Sequence, residues 1–270
     1  MLPHFSFLGR VYPTYGILGI IGLFLAVIVA GFRVKRYGLV RSDPIYMGAF
    51  AGFGLIAGGT LLYAITQLPL IIQNSHDFTG DFIALVTRLF GGMVFYGGLI
   101  GAIFGLYLYS RFMKVPFEVT MKLTVPVLPL AHSVMRVGCF AAGCCHGIAH
   151  PPPLGIAFTN ALGAPNGIPL LPVQLYEAAA NLVIFAILWV YTRKDRSWVI
   201  LAAVYGLLYS SARFALEFLR GDVIRGFVFG MSTSQFISII LFSVCIIALC
   251  LYGNAKRQES MNAANLDASE

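Results

Sequence analysis

The most chemically loaded stretch of the chain is RFALEFLR, residues 213–220, where Arg213, Glu217 and Arg220 recur at i, i+4 and i+7 among apolar residues. That spacing lines one face of a helix. Arg225 follows soon after, and Arg136 sits near the end of another apolar run. A charge held in an apolar span costs a few kcal/mol or more and is usually kept for a ligand or a pathway. Guanidiniums are planar forks that match phosphate and carboxylate oxygens. The set therefore points to an anionic group, with lipid phosphate the obvious candidate in such surroundings. The competing reading is structural, with Arg213 and Glu217 as an internal pair and Arg136 extending its apolar stem to an interface.

The stretch RVGCFAAGCCHG, residues 136–147, adds Cys139, Cys144 and Cys145, with His146 and His150 close by. Three chemistries compete. A zinc site is weakly supported, because C-x4-C-C-H does not match common ligand spacings. A reactive thiol needs its pKa lowered, which Arg136 or a histidine could do. A disulfide from Cys139 to Cys144 fits an oxidising compartment and leaves Cys145 over; this is the expectation carried forward. Cys245 and Cys250 stand among Ile, Leu and Val and read as small apolar packing residues.

Two further stretches carry polar groups. In GGMVFYGGLIGAIFG, residues 91–105, Gly97, Gly101 and Gly105 are spaced by four. Such a stripe makes a smooth face for close helix packing. Tyr96 beside Gly97 and Gly98 allows a second reading, in which the glycines leave room for a ligand and the phenol donates at its edge. In LPVQLYE, residues 171–177, Gln174, Tyr176 and Glu177 fall in the first turns of a helix. A carboxylate near a helix N-terminus is favoured by the dipole, so Glu177 reads either as that or as a member of the site.

The elements that must position these groups are membrane helices. The chain is 59% hydrophobic and 11% charged, against about 25% charged for a soluble domain. Seven apolar segments, at about 15–32, 45–72, 90–112, 121–142, 172–192, 198–219 and 230–252, stand out. Spanning a bilayer takes roughly 20 residues, and lipid forces such segments to be helical. The expected fold is all-α, a polytopic integral membrane protein with seven transmembrane helices in residues 1–253 and a polar, disordered cytoplasmic tail at 254–270. The first segment has no basic leader of the usual kind and is followed by charges, so it reads as a retained helix rather than a signal peptide. The formal charge of +7 bears on topology and lipid contact; no basic tract interleaved with aromatics marks a nucleic-acid site.

Lysine and arginine set the orientation. Arg33, Lys35, Arg36, Arg41, Arg111, Lys114, Lys122, Arg193, Lys194, Arg196, Lys256 and Arg257 fall on one side, against Arg10, Arg88, Arg220 and Arg225 on the other. The bias puts the N-terminus outside and the tail in the cytoplasm. The loop of residues 143–171, which contains no Lys, Arg, Asp or Glu, then faces out.

These pieces, in this order, resemble the prolipoprotein diacylglyceryl transferase family, bacterial inner-membrane enzymes that place a diacylglyceryl group on the lipobox cysteine of exported prolipoproteins. The resemblance runs from Tyr15–Gly16 to GMSTSQFISI. MVFYGGLIG resembles the family's HGGLIG helix, and RVGCFAAGCCHG its G-R-x-G-N-F-x-N-x-E-x-x-G signature. LPVQLYE resembles H-P-x-Q-L-Y-E, and RFALEFLRGD resembles R-x-x-x-E-F-F-R-x-P-D. The resemblance implies phosphatidylglycerol or a similar anionic phospholipid as donor, an exported prolipoprotein as acceptor, and no metal or organic cofactor. It implies that Arg136 engages the lipid phosphoglycerol head, that Arg213 and Glu217 are the essential pair, and that Tyr15, Gly147 and Arg220 belong to the same site. Tyr96, Glu217 and the Cys/His cluster are the candidates for moving the acceptor proton. With Gly97, Gly98, Cys139, Cys144, Gln174, Tyr176 and Glu177 as substrate-binding candidates, the set is complete.

The departures from the family pattern cluster in its acid–base half. The histidine before Gly-Gly is Tyr96, the asparagine after R-x-G is Cys139, and the acid five positions on is Cys144. The histidine opening H-P-x-Q-L-Y-E is Leu171, and an arginine after the Gly-Gly of the second segment is Thr60. The alternatives are a divergent paralogue with another acceptor, a lipid-binding protein without turnover, and a thiol-redox membrane protein.

Overall fold

In a computed structural model that describes residues 1–7, 9–73, 82–222 and 226–267, the chain is helical nearly throughout. Arg225 lies outside the described residues. The helices are α1 (Thr14–Gly31), α2 (Asp43–Gln73), α3 (Phe82–Phe90), α4 (Phe95–Met113), α5 (Phe117–Thr124), α6 (Leu128–Ala142), α7 (Val173–Tyr191), α8 (Trp198–Glu217) and α9 (Thr233–Asp267). Three short antiparallel pairs accompany them: β1 (His4–Phe7) with β2 (Arg10–Pro13), β3 (Ile156–Ala157) with β4 (Pro169–Leu170), and β5 (Phe227–Val228) with β6 (Met231–Ser232).

Among the described residues, six spans are long and apolar enough to cross a membrane: Thr14–Gly31, Asp43–Pro69, Phe117–Ala142, Val173–Tyr191, Trp198–Glu217 and Thr233–Asn262. Six of the seven expected segments meet that measure. The segment that falls short is α4, whose nineteen residues include four glycines, three tyrosines and Arg111. Large apolar side chains such as Ile20, Phe24, Phe53 and Ile247 are exposed, which suits a hydrocarbon surround and not water. Within Phe117–Ala142, Pro126 and Pro129 lack the N–H that an α-helix needs. The chain answers with a 3-10 turn at Val125–Val127 between α5 and α6.

The chain divides into two compact units, residues 27–123 and a larger one made of residues 1–26 and 124–270. In the smaller unit α2 packs on α4 through glycines on both helices. A Cβ at Gly97 would strike the Gly58 carbonyl oxygen, one at Gly101 that of Gly54, and one at Gly105 that of Phe50. The Tyr109 hydroxyl donates to Asp43 Oδ1 at 3.0 Å and ties the end of α4 to the start of α2. The glycine stripe is thus a packing surface. Gly101→Val puts a branched side chain against backbone that cannot yield, and is expected to cost roughly 3 kcal/mol or more. A thermal melt in detergent reads this; an unchanged midpoint would mean that α2 and α4 do not meet there.

In the larger unit α1 lies against α6, where a Cβ on Gly22 would come 2.8 Å from the Ala131 carbonyl oxygen and one on Gly138 3.4 Å from Tyr15 Cα. Ser133 of α6 donates to the Ala178 carbonyl of α7 at 2.8 Å. Gly206 of α8 faces the sulfur of buried Cys245 on α9, so that cysteine packs as expected, whereas Cys250 is exposed. Helix α9 continues through residues 254–267, where a disordered tail is expected. The reason is local: after Gly253 the stretch NAKRQESMNAANLD has neither Gly nor Pro and is rich in Ala, Lys, Arg, Gln and Glu, strong helix formers.

Candidate functional site

Helix α6 ends on Gly143 in the left-handed region, φ 69°, with the Gly143 amide on the Phe140 carbonyl at 3.0 Å and the Cys144 amide on that of Cys139 at 3.1 Å. This is a Schellman-type stop, and it folds the chain back over the last helical turn. Cys145 is also left-handed, φ 60°, which a side chain rarely adopts. The result brings the sulfurs of Cys139, Cys144 and Cys145 within 4.8 Å of one another. The expected Cys139–Cys144 disulfide is not formed; all five cysteines are thiols, and Cys144 Sγ lies 3.6 Å from the Cys139 carbonyl oxygen instead. Contacts from Cys139 and Cys144, then the nearby Arg220 guanidinium, hold the Cys145 thiol below its ordinary pKa. The Cys144 thiol is pushed up by its contacts with Cys139 and Cys145 and by burial.

The turn is held from two sides. The Gly147 amide donates to the Leu171 carbonyl (3.0 Å), the Ile148 amide to that of Leu219 (2.9 Å) and the Gly221 amide to that of His146 (3.1 Å). Gln174, fully buried, donates from Nε2 to the Cys144 carbonyl at 2.6 Å. A Cβ on Gly147 would come within 2.6 Å of Val173 Cγ2 and 2.7 Å of the Leu171 carbonyl oxygen. Gly147→Ala is therefore expected to loosen the turn and cost about 1–3 kcal/mol, seen as a lower melting temperature and as faster alkylation of Cys144 and Cys145. A variant with the melting temperature and alkylation rate of wild type would refute the close approach.

Beside this turn three arginines gather around one carboxylate. Glu177, on the first turns of α7 and only 4% exposed, meets Arg213 Nη1 through Oε1 at 2.8 Å and Arg136 Nε through Oε2 at 2.8 Å. Arg220 Nη1 stands 3.8 Å from the same Oε1. The single Arg136 Nε–H is directed at His132 Nε2, 3.2 Å away, so Glu177 Oε2 holds a charge contact without a directed hydrogen bond. As acceptor, that His132 nitrogen carries no proton. Arg213 also reaches Glu217 Oε2 (2.7 Å) and Ser234 Oγ on α9 (2.9 Å). Arg220 is held in a fork by Asp222, with Nε to Oδ1 at 2.8 Å. Arg136, Arg213 and Arg220 thus balance Glu177, Glu217 and Asp222. Of the three arginine side chains Arg136 keeps 13% of its surface exposed, Arg213 8% and Arg220 3%, so Arg136 is the one best placed to meet an incoming anion.

The structure brings together Arg136, Arg213, Glu217, Arg220, Glu177, Gln174, Gly147, Cys139 and Cys144. Tyr15 on α1 packs by its backbone on Gly138 and interacts electrostatically with Arg136 and Cys139. Tyr176 is part-buried one residue before Glu177, hence on another face of α7. Tyr96, Gly97 and Gly98 belong to the smaller unit. The room assigned there to a ligand is filled, at Gly97 by Gly58 and Leu62 and at Gly98 by Leu55; Tyr96 is 47% exposed. A narrow cleft, with room for little more than a water molecule, opens between α7 and α8, lined by Glu177, Arg213, Asn181 and Tyr209 among others, with Arg136 and Glu217 outside its wall. Sequence reasoning missed His132, Tyr209, Asp222 and Ser234. His132 carried a usable signal, since it stands four residues before Arg136 on the same helix face.

The sequence pattern of the prolipoprotein diacylglyceryl transferases matches residues 5–251. A phosphatidylglycerol–prolipoprotein diacylglyceryl transferase of Clostridium tetani is 37% identical over 244 residues, covering 90% of this chain and 93% of its own. A second, from Clostridium perfringens, is 37% identical over 229 residues, with 84% and 86% covered. One from Dehalococcoides mccartyi is 28% identical over 257 residues, 95% of each chain.

Proposed function

Because the chain belongs to the prolipoprotein diacylglyceryl transferase family, we propose that it moves a diacylglyceryl group from phosphatidylglycerol to a cysteine thiol of an exported prolipoprotein; the relatives' names give the donor lipid, the prolipoprotein and the transferred group. In that reaction the acceptor sulfur gives up its proton and bonds to the phosphate-bearing carbon of the diacylated glycerol. The bond from that carbon to the phosphate oxygen breaks, and glycerol phosphate leaves as the anion. Fixed guanidiniums in a site that excludes water stabilise such a leaving group strongly.

The observation that carries the reading is the convergence on Glu177 of Arg136 and Arg213, inside apolar spans, and of Arg220, just past the end of one, beside the thiol turn. Arg136 meets the phosphate. Glu177 sets its direction, and Arg213, braced by Glu217 and Ser234, fixes Glu177. The protein lies in the bacterial inner membrane with α4 as a seventh span, the N-terminus outside and the C-terminus in the cytoplasm. The twelve-to-four division of Lys and Arg supports that orientation. It puts the turn and the charge cluster at the outer face, where exported acceptors arrive.

Mass spectrometry tests the reading. Purified protein with phosphatidylglycerol and a lipobox peptide is expected to yield the diacylglyceryl thioether and free glycerol phosphate. Lipid binding without product would leave a non-catalytic lipid-binding protein. Product that forms normally in an Arg136→Ala variant would remove the phosphate site described here.

A further inference from the structure

The transfer step just described assigns no bond-making role to the three thiols. We propose that Cys139, Cys144 and Cys145 form a binding site for one thiophilic metal ion, zinc in the first instance, with three protein ligands and the fourth position open. The inference stands on the geometry of the turn and does not depend on the transferase reading.

The spacing C-x4-C-C matches no common ligand pattern, but the turn accomplishes what spacing alone does not. The left-handed stop at Gly143 returns the chain over α6, and the three sulfurs end within 4.8 Å of one another. A zinc–sulfur bond of about 2.3 Å sets sulfurs roughly 3.8 Å apart around a tetrahedral ion. The remaining shift, about 1 Å at most between any two sulfurs, is small enough for side-chain rotation to supply. Three sulfur donors select a soft or borderline cation over magnesium or calcium. Cys139 is buried at 5% while Cys144 and Cys145 are partly exposed. The set is thus closed on the α6 side and open on the other, the arrangement of sites that keep a place for an exogenous ligand.

The backbone supports the same conclusion. A cysteine in the left-handed region costs of order 1 kcal/mol and persists only where the surroundings impose it. Here the Gln174 hold on the Cys144 carbonyl and the Gly147–Leu171 bond impose it. Charge is accommodated too. Binding releases the thiol protons to solvent, and three thiolates with a dication leave a single negative charge. Arg220 beside Cys145 and Arg136 one turn before Cys139 place positive charge next to it, although both are also paired with carboxylates.

The test uses the full chain, purified in detergent under reducing conditions, loaded with zinc(II) and desalted. Elemental mass spectrometry is expected to find one zinc per chain. Cobalt(II) in its place is expected to give sulfur-to-cobalt charge-transfer absorption. Cys139→Ser, Cys144→Ser and Cys145→Ser should each weaken zinc retention ~10-fold or more, the effect typical of disturbing a metal site's support, while Cys250→Ser leaves it unchanged. Should a serine variant fail to fold, wild-type protein decides the matter: zinc is expected to protect three thiols from alkylation, counted by intact mass. Zinc well below one per chain, retention indifferent to all three substitutions, or protection of fewer than three thiols overturns the site. So does an intact mass lighter by the two hydrogens of a Cys139–Cys144 disulfide under the same reducing conditions.

Discussion

Arg136→Ala is expected to lower kcat/KM for transfer to a lipobox peptide by roughly 10²–10³-fold, the loss seen when one fixed donor to a developing anion is removed. The chain should stay folded. Glu177 keeps Arg213 at 2.8 Å and Arg220 at 3.8 Å after the change, so its charge is not stranded. Arg136 is the most exposed of the three arginines and the only one not paired with a second carboxylate, since Arg213 also holds Glu217 and Arg220 also holds Asp222. Its removal therefore takes away reach toward a ligand more than it takes away structure. Arg136→Lys separates charge from geometry. Lysine restores a cation but not the planar fork, and its ammonium cannot keep the Nε contact to His132. Activity between the two extremes is expected, with melting temperatures close to wild type for both variants. If Arg136→Ala melts far below wild type, the residue is a structural member of the cluster. If it turns over normally, the phosphate is held elsewhere.

What could be read from the sequence, and what could not, divides by the range of the interaction. The Arg213–Glu217 pair was legible because helix periodicity alone puts i and i+4 together, and the structure has it at 2.7 Å. The Gly97–Gly101–Gly105 stripe was legible as a packing face for the same reason, although only the structure shows that α2 supplies Gly54 and Gly58 opposite it. Glu177 was not legible as the centre of the site. Its partner Arg213 stands 36 residues away and on another helix, and no local pattern encodes such a pairing. As a carboxylate near a helix start, Glu177 had a sufficient local explanation, which concealed the tertiary one. The thiol turn failed in the opposite way. Cys139 and Cys144 invited a disulfide because five residues can bridge a helix end. Whether they do depends on where the Gly143 stop aims each sulfur, and that is fixed by the carbonyls of Cys139 and Phe140 and by Gln174.

Glu177→Gln is expected to destabilise the protein by roughly 3–5 kcal/mol, the usual consequence of removing one partner from a buried charge set, and to abolish transfer. The argument turns on the two oxygens. Oε1 lies 2.8 Å from Arg213 Nη1 and Oε2 lies 2.8 Å from Arg136 Nε. Glutamine offers one oxygen and one NH2 group: turned toward Arg213, the NH2 faces the Nη1 donor, and turned toward Arg136 it replaces the negative oxygen that balanced that guanidinium. The cluster also gains a net positive charge where three cations and three anions now balance. Glu177→Asp keeps the carboxylate but shortens the reach by one methylene, so one of the two 2.8 Å contacts lengthens and a smaller loss follows. Glu217→Gln is the matched comparison. It strips Arg213 of one charge contact but leaves its hydrogen bonds to Glu177 Oε1 and Ser234 Oγ in place. The expected order of melting temperatures in detergent is wild type, then Glu217→Gln and Glu177→Asp, then Glu177→Gln well below. A Glu177→Gln protein that melts with or above Glu217→Gln would show that Glu177 is not the centre on which the three arginines depend.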